Sequence, residues 1–214
     1  MSWAVILDFD GTITTHDVAD SILRRYGGIP ERDIRASYRP GVITEDWVRE
    51  RFLRVRCRPE DLEGFVLRTV RARRGFSGFI RWCRERKVPV EIVSGGLDLY
   101  LDLLLERWRL EDLPRWRARA RWTGRGISVR YPFLKGRTLE CFKLSRVRAH
   151  QRRGRKVLFA GDGASDIPAA RAADLSFARG RLLRHCRKEG TAVRVLSSFD
   201  ALRRRLEEGS CSRP

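Results

Sequence analysis

The sequence predicts an α/β fold, in which a doubly wound, mostly parallel sheet carries a small helical cap inserted after its first strand. Short apolar runs with β-branched members occur at residues 3–9, 90–93 and 156–160. Each run ends in a glycine-containing turn and leads into a helical pattern. Between residues 17 and 73 only helical periodicity is found. Strands that alternate with helices favour a parallel sheet covered on both faces.

The remaining elements follow in chain order. Helices are predicted in the insertion at residues 17–26, 31–38, 44–56 and 59–71, separated by glycine and proline, with a turn at residues 39–41. Later helices are predicted at 97–105, 167–173 and 198–208, and later strands at 174–177 and 192–196. We therefore divide the chain into a core of residues 1–15 and 74–214 and a cap of residues 16–73. Apolar cap residues are interpreted as the cap's own core: Trp47, Phe52, Leu62, Phe65 and Val66.

Composition excludes several classes of protein. The net charge is +19, but the basic residues are spread along the whole chain and no zinc-finger spacing occurs, so nucleic-acid binding is kept only as a remote alternative. The five cysteines are odd in number and lack a CxxC pair, which favours reduced thiols. Neither an export leader nor a stretch of about 20 apolar residues is found. We expect a cytoplasmic protein without a membrane partner or a specific nucleic-acid partner, and the oligomeric state stays open.

Two aspartates stand where the first strand is predicted to end, in the segment DFDGT at residues 8–12. Successive side chains of a strand point to opposite faces, so Asp8 and Asp10 are expected on one side and Phe9 on the other. Ligands of open parallel sheets bind outside the carboxyl ends of the strands, where this pair lies. Alone, the Asp-Gly step is equally typical of a plain turn.

Three further segments add chemistry at comparable positions. The segment SGG at residues 94–96 offers a hydroxyl and backbone N–H groups that can approach a phosphate, although alone it could be a helix cap. The segment GDGASD at residues 161–166 offers the carboxylates of Asp162 and Asp166, which suit a hard cation. Between these segments Lys143 lies in a helix-like stretch, and by itself it would be an ordinary surface lysine.

Together and in this order, DFDGT, SGG, Lys143 and GDGASD resemble the four motifs of the haloacid dehalogenase superfamily. The helical insertion resembles the small cap of the branch that includes phosphoserine phosphatase. The resemblance implies a Rossmann-like core and a phosphatase that acts on a small phosphorylated metabolite through an aspartyl-phosphate. It implies that Asp8 is the nucleophile and that Asp10 is the general acid and base.

The resemblance also implies how the site binds its ligands. Ser94, Gly95 and Lys143 would hold the transferring phosphate. The implied cofactor is Mg²⁺, held by Asp8, by the backbone carbonyl of Asp10 and by Asp162, with Asp166 in support. The three histidines fall outside the motifs and are interpreted as structural or surface residues, with His16 kept open because it follows the nucleophile loop.

A narrower resemblance concerns the substrate. The stretches ILDFDGTITTHD, EIVSGGLDLY and GDGASDIPAARAADLSFARGRLLRHCRKEG are similar to those of a methionine-salvage family, the 2-hydroxy-3-keto-5-methylthiopentenyl-1-phosphate phosphatases. Such relatives can carry a cysteine-rich stretch before the motif lysine, where this chain keeps only Cys141. Phosphoserine phosphatase and a related phosphotransferase therefore remain alternatives.

Overall fold

The computed structural model describes residues 2–35 and 43–211. Its strands are β1 (Trp3–Leu7), β2 (Val90–Leu97), β3 (Arg115–Thr123), β4 (Gly126–Arg130), β5 (Lys156–Gly161), β6 (Leu175–Ala178) and β7 (Arg194–Val195). Its helices are α1 (Val18–Tyr26), α2 (Glu31–Arg35), α3 (Thr44–Phe52), α4 (Pro59–Thr69), α5 (Phe76–Glu85), α6 (Asp98–Arg107), α7 (Leu139–Gln151), α8 (Ile167–Ala172), α9 (Gly180–Lys188) and α10 (Phe199–Cys211). No helix within the described ranges is both long and apolar enough to cross a bilayer.

The strands form one seven-stranded sheet in the order β4-β3-β2-β1-β5-β6-β7. Every neighbouring pair is parallel except β3 and β4, which form an antiparallel hairpin at one edge. The chain leaves β1 towards β2 on one side and returns to β5 on the other. The predicted doubly wound sheet is confirmed. The direction in which successive strands are added reverses between β1 and β5, and folds of this kind bind ligands at the carboxyl ends of the two strands at such a reversal.

The helices α1 to α4 lie between β1 and β2 in sequence and form the predicted helical cap. An isolated antiparallel bridge between Thr14 and Ala72 joins the two segments of chain that lead into and out of the cap. The residue boundaries of core and cap stay a prediction, which this bridge supports. The end of the predicted helix 31–38 and the turn 39–41 lie outside the described residues.

Several predicted bounds are wrong. Strand β1 ends at Leu7 rather than at residue 9, because the chain enters a tight turn over Phe9–Ile13. This turn is closed by a hydrogen bond from the Thr14 N–H to the Phe9 carbonyl. Strand β2 continues through the SGG segment instead of ending before it. Helix α3 stops at Phe52 because the chain tightens into a turn after it. The hairpin β3–β4 and the helices α5 and α9 are not among the elements that the sequence predicts.

Helix α7, which carries Lys143, is fixed to the sheet by Glu91 on β2. The Glu91 carboxylate accepts hydrogen bonds from Arg146 at 3.0 Å and from Trp116 at 3.0 Å, and it lies 2.7 Å from Nε2 of His150. Burial alone would raise the pKa of Glu91, but these partners lower it. Arg146 and His150 both belong to α7, so this buried cluster sets the position of the helix against β2. This contact agrees with the interpretation of His150 as a structural residue.

Candidate active site

A cavity of about 110 Å³ lies at the carboxyl ends of β1, β2 and β5, beneath the cap. All seven residues singled out from the sequence line it: Asp8, Asp10, Ser94, Gly95, Lys143, Asp162 and Asp166. Cap residues form the opposite wall, namely Asp17, Ala19, Asp20, Thr44, Trp47 and Val48. The sheet therefore supplies the acidic floor, and the cap supplies two further acids together with small and apolar side chains.

Asp8 lies directly after β1, and its backbone N–H donates to the Ala160 carbonyl of β5 at 2.9 Å. Its side chain is buried and accepts a hydrogen bond from Lys143 Nζ at 2.7 Å. Lys143 also donates to Asp166 at 2.5 Å. One buried ammonium group thus bridges the acid after β1 and the acid after β5, and it fixes both carboxylates in the cavity.

Burial dominates the electrostatics of Asp8. Desolvation raises its pKa from 3.8 to about 7, Lys143 opposes this shift, and Asp166 adds to it. Burial alone would lower the pKa of Lys143, but the carboxylates of Asp166 and Asp8 outweigh burial and raise it. Lys143 is therefore charged at neutral pH, while Asp8 titrates close to neutrality unless a further positive charge is present.

Asp8, Asp162 and Asp166 form a compact acidic cluster, with one carboxylate oxygen from each lying within 4.8 Å of the others. The backbone N–H groups of Asp162 and Gly163 donate to Asp166 at 3.0 and 2.9 Å. Burial raises the pKa of Asp162 well above its usual value, and the charges of Asp8 and Asp166 raise it further. Three carboxyl groups, of which those of Asp8 and Asp166 are buried, share one lysine, and their oxygen atoms are ligands that suit a hard divalent cation.

Asp10 has different partners from Asp8. Its Oδ2 accepts from the Tyr100 hydroxyl at 2.7 Å, and its Oδ1 accepts from the Val18 N–H at 3.0 Å. Burial raises the pKa of Asp10 well above its usual value, and the charge of Asp17 raises it further, against the opposing effect of Tyr100. The pKa of Asp10 is therefore shifted in the direction that favours retention of a proton.

The loop after β1 depends on one glycine and one arginine. Gly11 has φ +67°, and a Cβ atom there would lie 2.2 Å from Oδ2 of Asp162, so only glycine fits. The buried guanidinium of Arg73 donates to the carbonyls of Gly11 at 2.6 Å, Thr12 at 2.8 Å and Thr14 at 2.9 Å. Arg73 thus satisfies three carbonyl groups of the loop that lies between Asp8 and the cap.

The SGG segment approaches the acids closely from β2. Ser94 is buried, and its Oγ accepts from the Gly96 N–H at 2.9 Å. A Cβ atom on Gly96 would lie 2.6 Å from Oδ2 of Asp10 and 2.6 Å from the Tyr100 hydroxyl, so a side chain there would break their hydrogen bond. The Gly95 carbonyl accepts from the Tyr131 hydroxyl at 3.0 Å, which ties this segment to the chain after β4.

Helix α3 docks the cap on the core beside the cavity. Oε1 of Glu45 accepts from the backbone N–H of Leu139, the first residue of α7, at 3.2 Å. The guanidinium carbon of Arg49 lies 5.3 Å from the ring centroid of Tyr131. These contacts hold the cap against the start of α7, which carries Lys143, and against the chain that follows β4.

Residues 5–171 match the haloacid dehalogenase-like hydrolase family. The chain belongs to this family. Solved structures agree with the fold, since a substrate-bound phosphoserine phosphatase complex aligns with a TM-score of 0.73 at 21% identity, covering 97% of this chain and 98% of the other.

Curated relatives narrow the comparison within the family. This chain is 33% identical, over 95% of its length, to the bifunctional enzyme MtnB/MtnX of Bacillus licheniformis, and it spans only 49% of that protein. It is 30% identical to the 2-hydroxy-3-keto-5-methylthiopentenyl-1-phosphate phosphatase of Geobacillus kaustophilus, covering 92% of this chain and 94% of the relative. The chain is a haloacid dehalogenase-type phosphatase, a phosphoric monoester hydrolase, and enzymes of this class use a divalent metal ion.

Sequence reasoning misses several residues of this site. In the sequence Tyr100 is only one position of the predicted helix 97–105, but in the structure its hydroxyl donates a hydrogen bond to Asp10. Trp47 lies in the buried core, as predicted, but it also lines the cavity, which the apolar pattern of the cap does not reveal. No sequence pattern indicates the roles of Glu45 and Arg73, because their hydrogen-bond partners are backbone groups that lie 94 and about 60 residues away in the sequence. At β3, the alternation of arginine with tryptophan and alanine has the period of a strand and could have been recognised.

Proposed function

We propose that this phosphatase transfers the phosphoryl group of a small metabolite to Asp8 and then hydrolyses the aspartyl-phosphate. The observation that carries this proposal is the position of Asp8 at the cavity floor, 2.7 Å from the Lys143 ammonium and beside two further carboxylates. An Oδ atom of Asp8 would attack phosphorus as the bond to the ester oxygen breaks. Asp10, with its raised pKa, would give its proton to that departing oxygen.

The second half-reaction reverses the role of Asp10. Its carboxylate would then take a proton from a water molecule, which attacks phosphorus and breaks the bond to Asp8. Ser94, the Gly95 N–H and Lys143 line the same cavity and would bind the oxygens of the transferring group. Inorganic phosphate and the free carboxylate of Asp8 result, so the enzyme returns to its starting form.

The cofactor in this proposal is Mg²⁺, and the residues present fit it. Asp8, Asp162 and Asp166 offer only hard oxygen ligands, in a cluster that Lys143 neutralises in part. The side chain of Asp10 is engaged by Tyr100 and Val18, so only its backbone carbonyl is proposed as a ligand. A bound Mg²⁺ would favour the ionised form of these carboxylates and neutralise charge on the phosphate.

The proposed substrate is 2-hydroxy-3-keto-5-methylthiopentenyl-1-phosphate, as the names of the relatives suggest. Its thioether chain suits the apolar wall formed by Trp47, Val48 and Leu139. Phosphoserine, the main alternative, carries an ammonium group that the acids Asp17 and Asp20 on the cap wall would attract, and a carboxylate that needs a basic partner. Among the described lining residues only Lys143 is basic, and it is already paired.

A panel of phosphorylated metabolites tests this function, with released phosphate as the readout. We expect turnover of the methylthiopentenyl phosphate to exceed turnover of phosphoserine. We also expect chelation of divalent metal ions to abolish turnover and added Mg²⁺ to restore it. Undiminished turnover after exhaustive chelation would refute the metal assignment. A cytoplasmic location and the absence of nucleic-acid and membrane partners remain predictions, and transfer to an acceptor other than water remains the alternative reaction.

A further inference from the structure

Helix α3 of the cap begins against the helix that carries Lys143. Glu45, in the first turn of α3, is buried, with 6% of the residue exposed. Its Oε1 accepts a hydrogen bond from the backbone N–H of Leu139, the first residue of α7, at 3.2 Å. The N–H groups at the start of a helix have no partner within the helix, and the helix dipole favours a negative charge there. The cap therefore supplies a partner that α7 does not provide for itself.

Leu139 connects two groups that are proposed to bind the transferring phosphate. Leu139 and Lys143 are four residues apart in α7, which places them on one face of the helix, and both line the cavity. Leu139 also packs closely on Gly95 of β2, since a Cβ atom on that glycine would lie only 2.9 Å from Cδ2 of Leu139. The residue that Glu45 holds thus contacts Gly95 and precedes Lys143 by one helical turn.

A second contact from the same cap helix leads to the same glycine. The guanidinium carbon of Arg49, one turn after Glu45, lies 5.3 Å from the ring centroid of Tyr131. The Tyr131 hydroxyl donates to the Gly95 carbonyl at 3.0 Å. Helix α3 therefore reaches Gly95 through Tyr131 as well as through Leu139.

We infer that Glu45 is a positioning residue, through which docking of the cap places Gly95 and Lys143 for phosphoryl transfer. This inference rests on the proposed function and deepens it. Glu45 is not among the described residues that line the cavity, so it acts through Leu139 rather than on the substrate. The rate of phosphoryl transfer depends on how accurately the groups around the phosphate are held. Loss of this contact should therefore slow the reaction of every phosphate ester, not only that of the physiological substrate.

Turnover of two esters tests the inference, 4-nitrophenyl phosphate and 2-hydroxy-3-keto-5-methylthiopentenyl-1-phosphate. In Glu45→Ala we expect kcat to fall about tenfold with both esters, because the hydrogen bond to the Leu139 N–H is lost. Glu45→Gln keeps an acceptor oxygen, so its kcat should stay within about threefold of wild type. Glu50→Ala is the matched control, because the Glu50 carboxylate lies on the same helix but is 71% exposed and pairs with the neighbouring Arg51. It should keep the wild-type kcat.

Inhibition by orthovanadate, which can take the five-coordinate geometry of a transferring phosphoryl group, gives a second readout. Its inhibition constant should rise about tenfold in Glu45→Ala and stay near the wild-type value in Glu45→Gln. Glu45→Met fills the space of the side chain without a strong acceptor, so it should behave as Glu45→Ala does. Thermal melting verifies that each variant is folded at the assay temperature, which separates a loss of stability from a loss of rate.

The outcomes distinguish this inference from the function on which it rests. If wild-type protein hydrolyses neither ester, the proposed function fails; if it hydrolyses only 4-nitrophenyl phosphate, the substrate assignment fails and that ester still tests Glu45. If Glu45→Ala and Glu45→Met keep the wild-type kcat, the inference is overturned while the phosphatase stands. It is also overturned if only the methylthiopentenyl ester is affected, since Glu45 would then select the substrate, or if Glu45→Gln loses as much activity as Glu45→Ala.

Discussion

Replacing Arg73 by methionine removes the three hydrogen bonds that the guanidinium donates to the carbonyls of Gly11, Thr12 and Thr14. The side chain is nearly fully buried, with 5% of the residue exposed, so water does not readily replace these bonds. Burial lowers the pKa of Arg73 to about 10, which leaves it protonated at neutral pH. At about 1 kcal/mol net for each bond, the variant should lose about 3 kcal/mol of unfolding free energy.

The same variant should also slow catalysis, because the three carbonyls belong to the loop that follows Asp8 and includes Gly11, which packs against Asp162. A displacement of about 1 Å at reacting groups can cost about 10²-fold in rate. We therefore expect kcat to fall by about 10²-fold in Arg73→Met. Arg73→Lys should be intermediate, since it keeps the charge but not the planar fork of donors.

Urea unfolding and steady-state kinetics measure the two effects. Arg74→Met is the matched control, because the Arg74 side chain is 88% exposed and its ion pair with Asp200 is long, at 3.6 Å. It should change the unfolding free energy by less than about 0.5 kcal/mol. If Arg73→Met unfolds at the wild-type urea concentration and keeps the wild-type kcat, Arg73 does not position the loop and this reasoning is refuted.

Three further changes probe the same site. Gly11→Ala places a Cβ atom 2.2 Å from Asp162 at φ +67°, so it should cost about 1 to 3 kcal/mol in urea unfolding and abolish turnover; wild-type behaviour would contradict the close approach of this loop to Asp162. Tyr100→Phe removes a hydrogen bond that lowers the pKa of Asp10, so the alkaline limb of kcat/KM, which reports loss of the proton from Asp10, should move to higher pH. A shift to lower pH would refute this role. Burial raises the pKa of Asp8 from 3.8 to about 7, so metal-free protein should lose stability as the pH rises through that interval. Mg²⁺ should then raise the melting temperature more at pH 8 than at pH 5, and an equal increase at both would argue against the carboxylate site.

The sequence predicts those parts of the molecule whose signals are local. Asp8 and Asp162 each follow an apolar run, and a parallel sheet brings the carboxyl ends of such runs to one edge, so the acidic floor could be anticipated. Lys143 could be placed in the site only through the order of the motifs. Its helical stretch does not reveal that Glu91 anchors the helix to β2, 2.7 Å from His150.

The parts that escape prediction depend on contacts between distant residues. A buried arginine such as Arg73 looks like any other of the many arginines in this chain, because its partners are backbone carbonyls that carry no sequence signature. Trp47 fits an apolar cap core as well as a cavity wall, since it packs in the buried core and also lines the cavity. Strand β3 differs from the continuously apolar central strands because charged arginine alternates there with tryptophan and alanine, and only this two-residue period indicates a strand.

Trapping of the phosphoryl group on Asp8 tests the central claim most directly. Asp10→Asn keeps the nucleophile and removes proton transfer, a contribution of about 10² to 10⁴ in rate. With 4-nitrophenyl phosphate, whose phenol leaves without a proton, it should give a burst of nitrophenol and then a slow rate, with phosphate found on Asp8 by mass spectrometry of the acid-quenched protein. Asp8→Asn should give neither burst nor adduct. A burst from Asp8→Asn, or an Asp10→Asn protein without the adduct that loses aryl and alkyl phosphates equally, would contradict the account.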